Sequence, residues 1–346
     1  MIKVQIHEPY KDRNEPTFRM MMACKDYFKQ IGIEFTNSND FDYLFIGMND
    51  FINKKLPLQE SIEWGSENVE KLSQGGDYFL FDGSDSTSLI GSYEVFEQSH
   101  AKFLFKNQLL KNREDYLKPT VLNKWFFGDG SDLDKGYDIP KDVWDRIKLS
   151  GFNLGYFQGD RFRPDYYQEH PVCTDKTIDL CAIYQGFHKK NTEHLARNDM
   201  FYTKHRSGAW DVIGDNPGYT FVKDKLPFDE YMNTLYKSKL ALSPFGMGEV
   251  CYRDFEILDL GVAMIKPTME NVVTTPNYYI ENETYIPVDY DWKNLNEVVL
   301  ETLDNNDKIE YIIGKSRETY KEIYSAHNFC MYWYNFFANL SGVKND

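Results

Sequence analysis

Short apolar runs of strand length recur along this chain with helical stretches between them, and that alternation constrains its fold more than any other feature. The first series runs Ile2–His7, an amphipathic stretch Phe18–Gln30, Ile33–Thr36, Asp42–Gly47, a helical stretch near Asn68–Gln74, Tyr78–Asp82, another near Thr87–Gln98, and Lys102–Phe105. Strands separated by helices leave room for the crossovers that parallel pairing needs, so the pattern predicts a parallel sheet wrapped by helices. Gly32 and the pair Gly75-Gly76 directly follow helical stretches, where glycine supplies the residue that ends a helix. A second series starts after Lys176: strand Thr177–Tyr184, a helix starting at Asn191–Arg197, a short strand Trp210–Ile213, helix Phe228–Ser238, strand Leu240–Ser243, helix Tyr252–Leu260 and strand Val262–Lys266. The stretch Lys308–Phe337 is helical in pattern. It is expected to run back across the first domain, its aromatic end sealing core between domains.

A chain of 346 residues is too long for one comfortable core, so two are expected. From Phe126 to Gln168 the alternation dissolves into Gly, Asp and aromatic residues, which places the linker near residues 160–175. The boundaries read as 1–165, 176–325 and a terminal helix 326–346. The fold class is α/β, with two Rossmann-like domains and a C-terminal helical extension.

Composition narrows the function. Lys plus Arg number 39 and Asp plus Glu 54, a formal charge of −15, which repels polyanions and makes nucleic acid a poor partner. The longest apolar runs, Tyr43-Leu-Phe-Ile46 and Phe79-Leu-Phe81, fall far short of the roughly 20 residues a membrane helix needs. The N-terminus alternates like a strand and lacks the features of a signal peptide, so a cytoplasmic protein is expected. Five scattered cysteines with no Cys-x-x-Cys spacing read as reduced, buried thiols.

Chemistry concentrates in Lys239-Leu-Ala-Leu-Ser-Pro-Phe-Gly-Met-Gly-Glu-Val-Cys-Tyr-Arg-Asp-Phe-Glu-Ile-Leu-Asp-Leu-Gly-Val-Ala-Met-Ile-Lys-Pro267. A strand ending at Ser243 runs into a glycine loop, and a helix is expected to start near Glu249. Gly246 and Gly248 allow close backbone approach, and the helix N-terminus beyond them favours an anion. Arg253 and Glu256 share a helix face, offering a guanidinium fork for phosphate and a carboxylate for sugar hydroxyls. The alternative for Arg253 is a surface pair with Asp254 or Glu249.

The order strand, Pro-Phe-Gly-x-Gly, Tyr-Arg-x-Phe-Glu, Leu-x-Leu-Gly, apolar strand, Pro resembles the donor-sugar segment of GT-B glycosyltransferases, most nearly exostosin-like enzymes. Residues 228–337 carry the likeness and residues 176–227 add weaker support. The resemblance implies two Rossmann-like domains facing a cleft. It implies transfer of a hexosyl or pentosyl group from a UDP- or GDP-linked sugar to a hydroxyl acceptor such as a glycan, with no cofactor beyond that substrate. Arg253 would bind the diphosphate and Glu256 the ribose, with Ser243, Pro244, Phe245, Gly246, Gly248, Glu249 and Tyr252 around them. Lys189, in Gln185-Gly-Phe-His-Lys-Lys190, would be a second cation. Retaining members often carry glutamates eight positions apart here; Gly248 occupies the earlier place, and Glu249 is only seven before Glu256, which favours inversion.

Inversion calls for a base on the acceptor side. Strand Tyr78–Phe81 leads into Asp82-Gly-Ser-Asp-Ser86, beyond the carboxyl end of a parallel strand, so Asp82 and Asp85 are the candidates, with His7 as rival. Alternatively, Asp85 or Ser86 caps a helix starting near Thr87. The triplets Asp132-Leu-Asp134 and Asp289-Tyr-Asp291 fall where no metal-dependent transferase would want them, and no histidine spacing argues for zinc, so no metal is expected. Rival functions are a DNA-modifying glycosyltransferase using a basic stripe of Lys102, Lys106, Lys111 and Arg113, a non-catalytic nucleotide-sugar binder, and a two-lobed periplasmic-type binding protein, for which an export signal would be needed.

Overall fold

The computed structural model describes residues 1–7, 16–48, 51, 56–117, 136, 138–151, 171–184, 196–214, 216–223, 225–246 and 248–340. Lys189, the triplet Asp132-Leu-Asp134 and most of the expected linker lie outside the described residues. Strands and helices alternate as β1 (Ile2–His7), α1 (Pro16–Ala23), α2 (Lys25–Gln30), β2 (Ile33–Thr36), β3 (Tyr43–Gly47), α3 (Leu58–Ser73), β4 (Tyr78–Asp82), α4 (Ser92–Glu97), β5 (Phe103–Lys106), β6 (Gln108–Leu110), α5 (Lys141–Trp144) and β7 (Ile147–Leu149). The order continues with β8 (Ile178–Ile183), α6 (Ala196–Ile213), β9 (Tyr219–Val222), α7 (Phe228–Tyr236), β10 (Ser238–Leu242), α8 (Tyr252–Asp259), β11 (Ala263–Pro267), β12 (Val272–Thr274), β13 (Ile286–Val288), α9 (Leu295–Leu303), α10 (Asn306–Ile323) and α11 (Ala326–Leu340). The chain divides into one unit of Met1–Tyr166, Val272–Pro276 and Tyr324–Asp346, and a second of Tyr167–Asn271 and Asn277–Ile323. The α/β class with two Rossmann-like units and a helical C-terminal extension is what the structure shows.

The first unit holds a six-stranded parallel sheet in the order β2-β1-β3-β4-β5-β7. Side chains alternate across a strand, so each strand supplies both faces. Leu44, Ile46, Leu80 and Leu104 join an aliphatic cluster with Ile62 and Val69 of α3 and Val95 of α4. Phe45, Phe79, Phe81 and Phe105, offset by one residue, form an aromatic face that α1 and α11 cover. Phe18 lies 4.7 Å from Phe81, and Trp333 lies 4.9 Å from Phe105 and 5.7 Å from Phe45. The terminal aromatic cluster therefore packs within this unit, because a sheet face of phenylalanines needs rings of similar size to fill it. An antiparallel pair, β6 with β12, brings the segment 272–274 into the same unit.

The helix expected near Thr87–Gln98 is shorter, starting only at Ser92. Hydroxyls compete for the backbone before it: Ser86 Oγ accepts from Ser88 N at 3.2 Å, and Ser88 Oγ from Ile90 N at 3.3 Å. Gly91 at φ +84° is the N-cap and donates its N–H to Glu94 at 2.6 Å, so neither Asp85 nor Ser86 caps this helix.

The second unit holds five parallel strands in the order β13-β11-β10-β8-β9. Trp210–Ile213, expected as a strand, is the last turn of α6. Ala209, Trp210 and Ile213 point into the core while Val212 is exposed, which is helical spacing and not alternation. Gly261, at φ +63°, follows the C-cap Leu260 of α8 two residues before β11, and a Cβ there would fall 2.8 Å from Arg317 Nη2. The stretch Lys308–Phe337, helical in pattern, is two helices, α10 and α11, which belong to different units. No helix among the described residues is long and apolar enough to cross a membrane.

Candidate functional site

In the second unit, neighbouring strands β8 and β10 are the place where the strand order reverses, and ligands of open parallel sheets settle outside the carboxyl ends of such a pair. Tyr184 follows β8 there and Ser243 follows β10. The described residues of the loop after Ser243 are buried through Val250. Gly246 donates its N–H to Gly248 O at 2.9 Å, and a Cβ on Gly246 would meet Arg206 Nη2 and Cys251 Sγ at 3.1 Å, so the turn suits glycine. Helix α8 starts at Tyr252, as read for the helix Tyr252–Leu260, and not near Glu249. Asp254, in its first turn, accepts the N–H of the N-cap Cys251 at 3.0 Å. The positive end of the helix thus already faces a carboxylate of its own, so an external anion there would have to be met by side chains.

Arg253 supplies the first of them. Its Nη1 reaches Ser243 Oγ at 3.5 Å and Pro244 O at 3.4 Å, long for bonds from a cation, and its guanidinium lies 5.3 Å from the centre of the Tyr184 ring. Burial works against its charge, but Cys251, Tyr231, Asp254 and Glu256 hold its pKa above the ordinary value. Asp254 and Glu249, the two surface partners considered for it, are both 0% exposed, and among the described residues no carboxylate is ion-paired with Arg253. One turn on, Glu256 Oε2 accepts from the Tyr231 hydroxyl of α7 at 2.6 Å. Burial, then the Glu256 carboxylate, push that hydroxyl far above its ordinary pKa and keep it a donor.

Beneath the loop lies an interior ion pair: Asp254 Oδ2 and Lys266 Nζ are 3.0 Å apart, both fully buried. On the other side of Phe245, Arg206 Nε donates to the Phe245 carbonyl at 3.1 Å. Its neighbour His205 is stacked against Tyr290 at 4.5 Å and lies 4.7 Å from Trp292, with Nε2 unpartnered among the described residues. Burial, then Arg206 and Lys266, push this imidazole down to about 3. A histidine depressed in the folded state is protonated first in the unfolded chain. Stability of the second unit should therefore fall as pH drops below about 6.5, with a slope of up to about 1.4 kcal/mol per pH unit. Denaturant titrations between pH 6.5 and 5 check this: His205→Phe, which fits the aromatic stack, should flatten the slope, and an unchanged slope would refute the assignment.

Tyr252 is 43% exposed at the start of α8, and Phe245 is buried within the loop. Arg206, Tyr231 and Lys266 were not singled out by the sequence motifs, and Asp254 was read only as a surface partner for Arg253. Asp254 had a signal in its place three residues after the N-cap, and Lys266 in ending an otherwise apolar strand. Arg206 lies between the helix start read at Asn191–Arg197 and the strand read at Trp210–Ile213, where no motif drew attention to it.

In the first unit, Asp82 ends β4 with its side chain turned inward. Its Oδ1 is 3.2 Å from Lys106 Nζ and accepts from Ser84 N at 2.9 Å; the residues are 6% and 0% exposed. Burial would raise its pKa, but Lys106, Ser84 and Ser92 hold the carboxyl below its ordinary value. Asp85, half-buried two residues past Gly83, has its carbonyl bonded by Gln108 Nε2 at 2.5 Å. His7 ends β1 with its ring 6.3 Å from that of Phe51. The stripe of cations proposed for nucleic acid loses Lys106, which is interior, while Lys102 is paired with Asp77 and Arg113 bonds Ile139 O at 3.0 Å beside Glu114. Asp291 of the second acidic triplet is exposed and paired with Lys293 at 2.5 Å.

No protein-family profile and no curated protein matches this sequence. Solved structures similar to it include sucrose-phosphate synthase from Thermosynechococcus elongatus, with TM-score 0.49 and 8% identity over 99% of this chain and 100% of that one. Anabaena HepE in complex with UDP-glucose has TM-score 0.47 and 8% identity over 98% and 100%. An alpha-glucosyltransferase in complex with UDP and a 13-mer DNA containing a HMU base has TM-score 0.45 and 12% identity over 96% and 98%.

Proposed function

We propose that this chain is a GT-B-type glycosyltransferase whose second unit binds a nucleoside-diphosphate sugar, UDP or GDP linked, and whose first unit serves a hydroxyl acceptor such as a glycan. The observation that carries this is Arg253, a half-buried guanidinium at the β8/β10 reversal with long contacts to neutral oxygens and no paired carboxylate among the described residues. A diphosphate would satisfy it with charge-assisted bonds. Glu256, steadied by Tyr231, would take the ribose hydroxyls, and Arg206 would add a second positive charge. With two arginines meeting the diphosphate, transfer is expected to persist in excess chelator.

The acceptor oxygen forms a bond to the anomeric carbon as the bond to the diphosphate oxygen breaks, with inversion, and the acceptor proton passes to a base. Asp82 is braced by Lys106 as an anion of depressed basicity, which leaves Asp85 as the base. Titration calorimetry with UDP and GDP tests the donor site; binding of neither would end this reading. Asp85→Asn should leave nucleotide affinity unchanged and slow transfer about 10²- to 10⁴-fold. A normal rate in Asp85→Asn with a loss in His7→Asn would move the role to His7.

A further inference from the structure

One carboxylate ties together four separate parts of the second unit. Asp254 Oδ1 accepts from Ser243 Oγ at 2.5 Å, at the end of β10. Its Oδ2 accepts from Cys251 N at 3.0 Å, before α8, and from the Tyr279 hydroxyl at 2.7 Å. Lys266 Nζ, on β11, lies 3.2 Å from Oδ1 and 3.0 Å from Oδ2. The lysine is itself roofed by the rings of Phe245 at 5.0 Å and Tyr279 at 5.7 Å.

A serine hydroxyl has one proton, and Ser243 gives its proton to Asp254. Toward Arg253 Nη1, at 3.5 Å, the same oxygen can then only accept. We propose that Asp254 is a positioning residue for the phosphate site: charge-balanced by Lys266, it fixes the polarity of the Ser243 hydroxyl and thereby the direction of the Arg253 guanidinium. This rests on the donor reading above. Without the carboxylate, the Ser243 proton is free to turn toward Pro244 O, which Arg253 also uses, and the hydroxyl then competes with the guanidinium in place of receiving it. Stability alone is a poor reason for the arrangement, since buried ion pairs can often be replaced by apolar residues with little loss.

The test is a double-mutant cycle on UDP affinity. Asp254→Ala, which leaves Ser243 no acceptor at that position, should weaken UDP about tenfold in the native chain, the scale of one lost bond to a charged group, and should cost nothing further in an Arg253→Ala background. Should Lys266, left unpaired, prevent folding, Asp254→Ala combined with Lys266→Met keeps the interior neutral and replaces it in both arms. A merely structural role predicts the same loss of affinity in both backgrounds, and that result would overturn the proposal. So would native UDP affinity in the folded Asp254 variants. If the native chain binds neither UDP nor GDP, the donor reading fails and takes this proposal with it, an outcome separate from full additivity in a chain that does bind.

Discussion

Arg253→Ala is expected to slow sugar transfer about 10²- to 10³-fold, the cost of removing a preorganised donor from developing negative charge. The nucleoside diphosphate departs with more negative charge than it carries in the bound substrate, so part of the arginine's interaction appears only in the transition state. Turnover should fall along with nucleotide affinity. Arg253→Lys retains the charge but not the planar fork, and should recover only part of the loss. Neither substitution should shift the melting temperature much, because the side chain's contacts with Ser243 Oγ and Pro244 O are long. The comparison needs turnover, UDP affinity and a melting curve for each variant. Native turnover in both would remove the phosphate site from this segment altogether.

The parallel sheets were legible because short apolar runs separated by helical stretches leave few other ways to pair. The strand-to-helix segment around Ser243 and Arg253 was legible for the same reason, with glycines marking the turn. What stayed hidden depended on direction. Asp254 and Arg253 are neighbours in sequence with similar surface propensities, yet one side chain is 0% exposed against Lys266 while the other is only half-buried beside Tyr184. Helical phase alone sets them about 100° apart, and no spacing rule says which faces the sheet. Trp210–Ile213 misled for a different reason: four residues with bulky apolar ends fit both a buried strand and the inner face of a helix. Asp82 looked available because it ends a strand, and only the register that sets it opposite Lys106 shows otherwise.

Lys106→Met should destabilise the first unit by about 3–5 kcal/mol, because it leaves the Asp82 carboxylate buried without its cation. In a domain of this size that is a fall of roughly 6–20 °C in melting temperature. The pH dependence identifies the cause. In the native chain the Asp82 carboxyl sits below its unfolded value of about 3.9, so its stabilising contribution is complete above that pH and is lost as pH falls through the lower, folded value. Without Lys106, burial is opposed only by the hydrogen bonds from Ser84 and Ser92, and the folded pKa is expected to rise above the unfolded one. The sign then reverses: the variant loses stability as pH rises out of the carboxylate range. The gap between native and variant chains should therefore be widest near neutrality and close below about pH 4. Adding Asp82→Asn to Lys106→Met should restore much of the stability at neutral pH by removing the stranded charge. A gap that stays constant with pH would show that the lysine contributes packing alone. In that case Asp82 would no longer be held as a braced anion, and it would return beside Asp85 as a candidate for the acceptor proton.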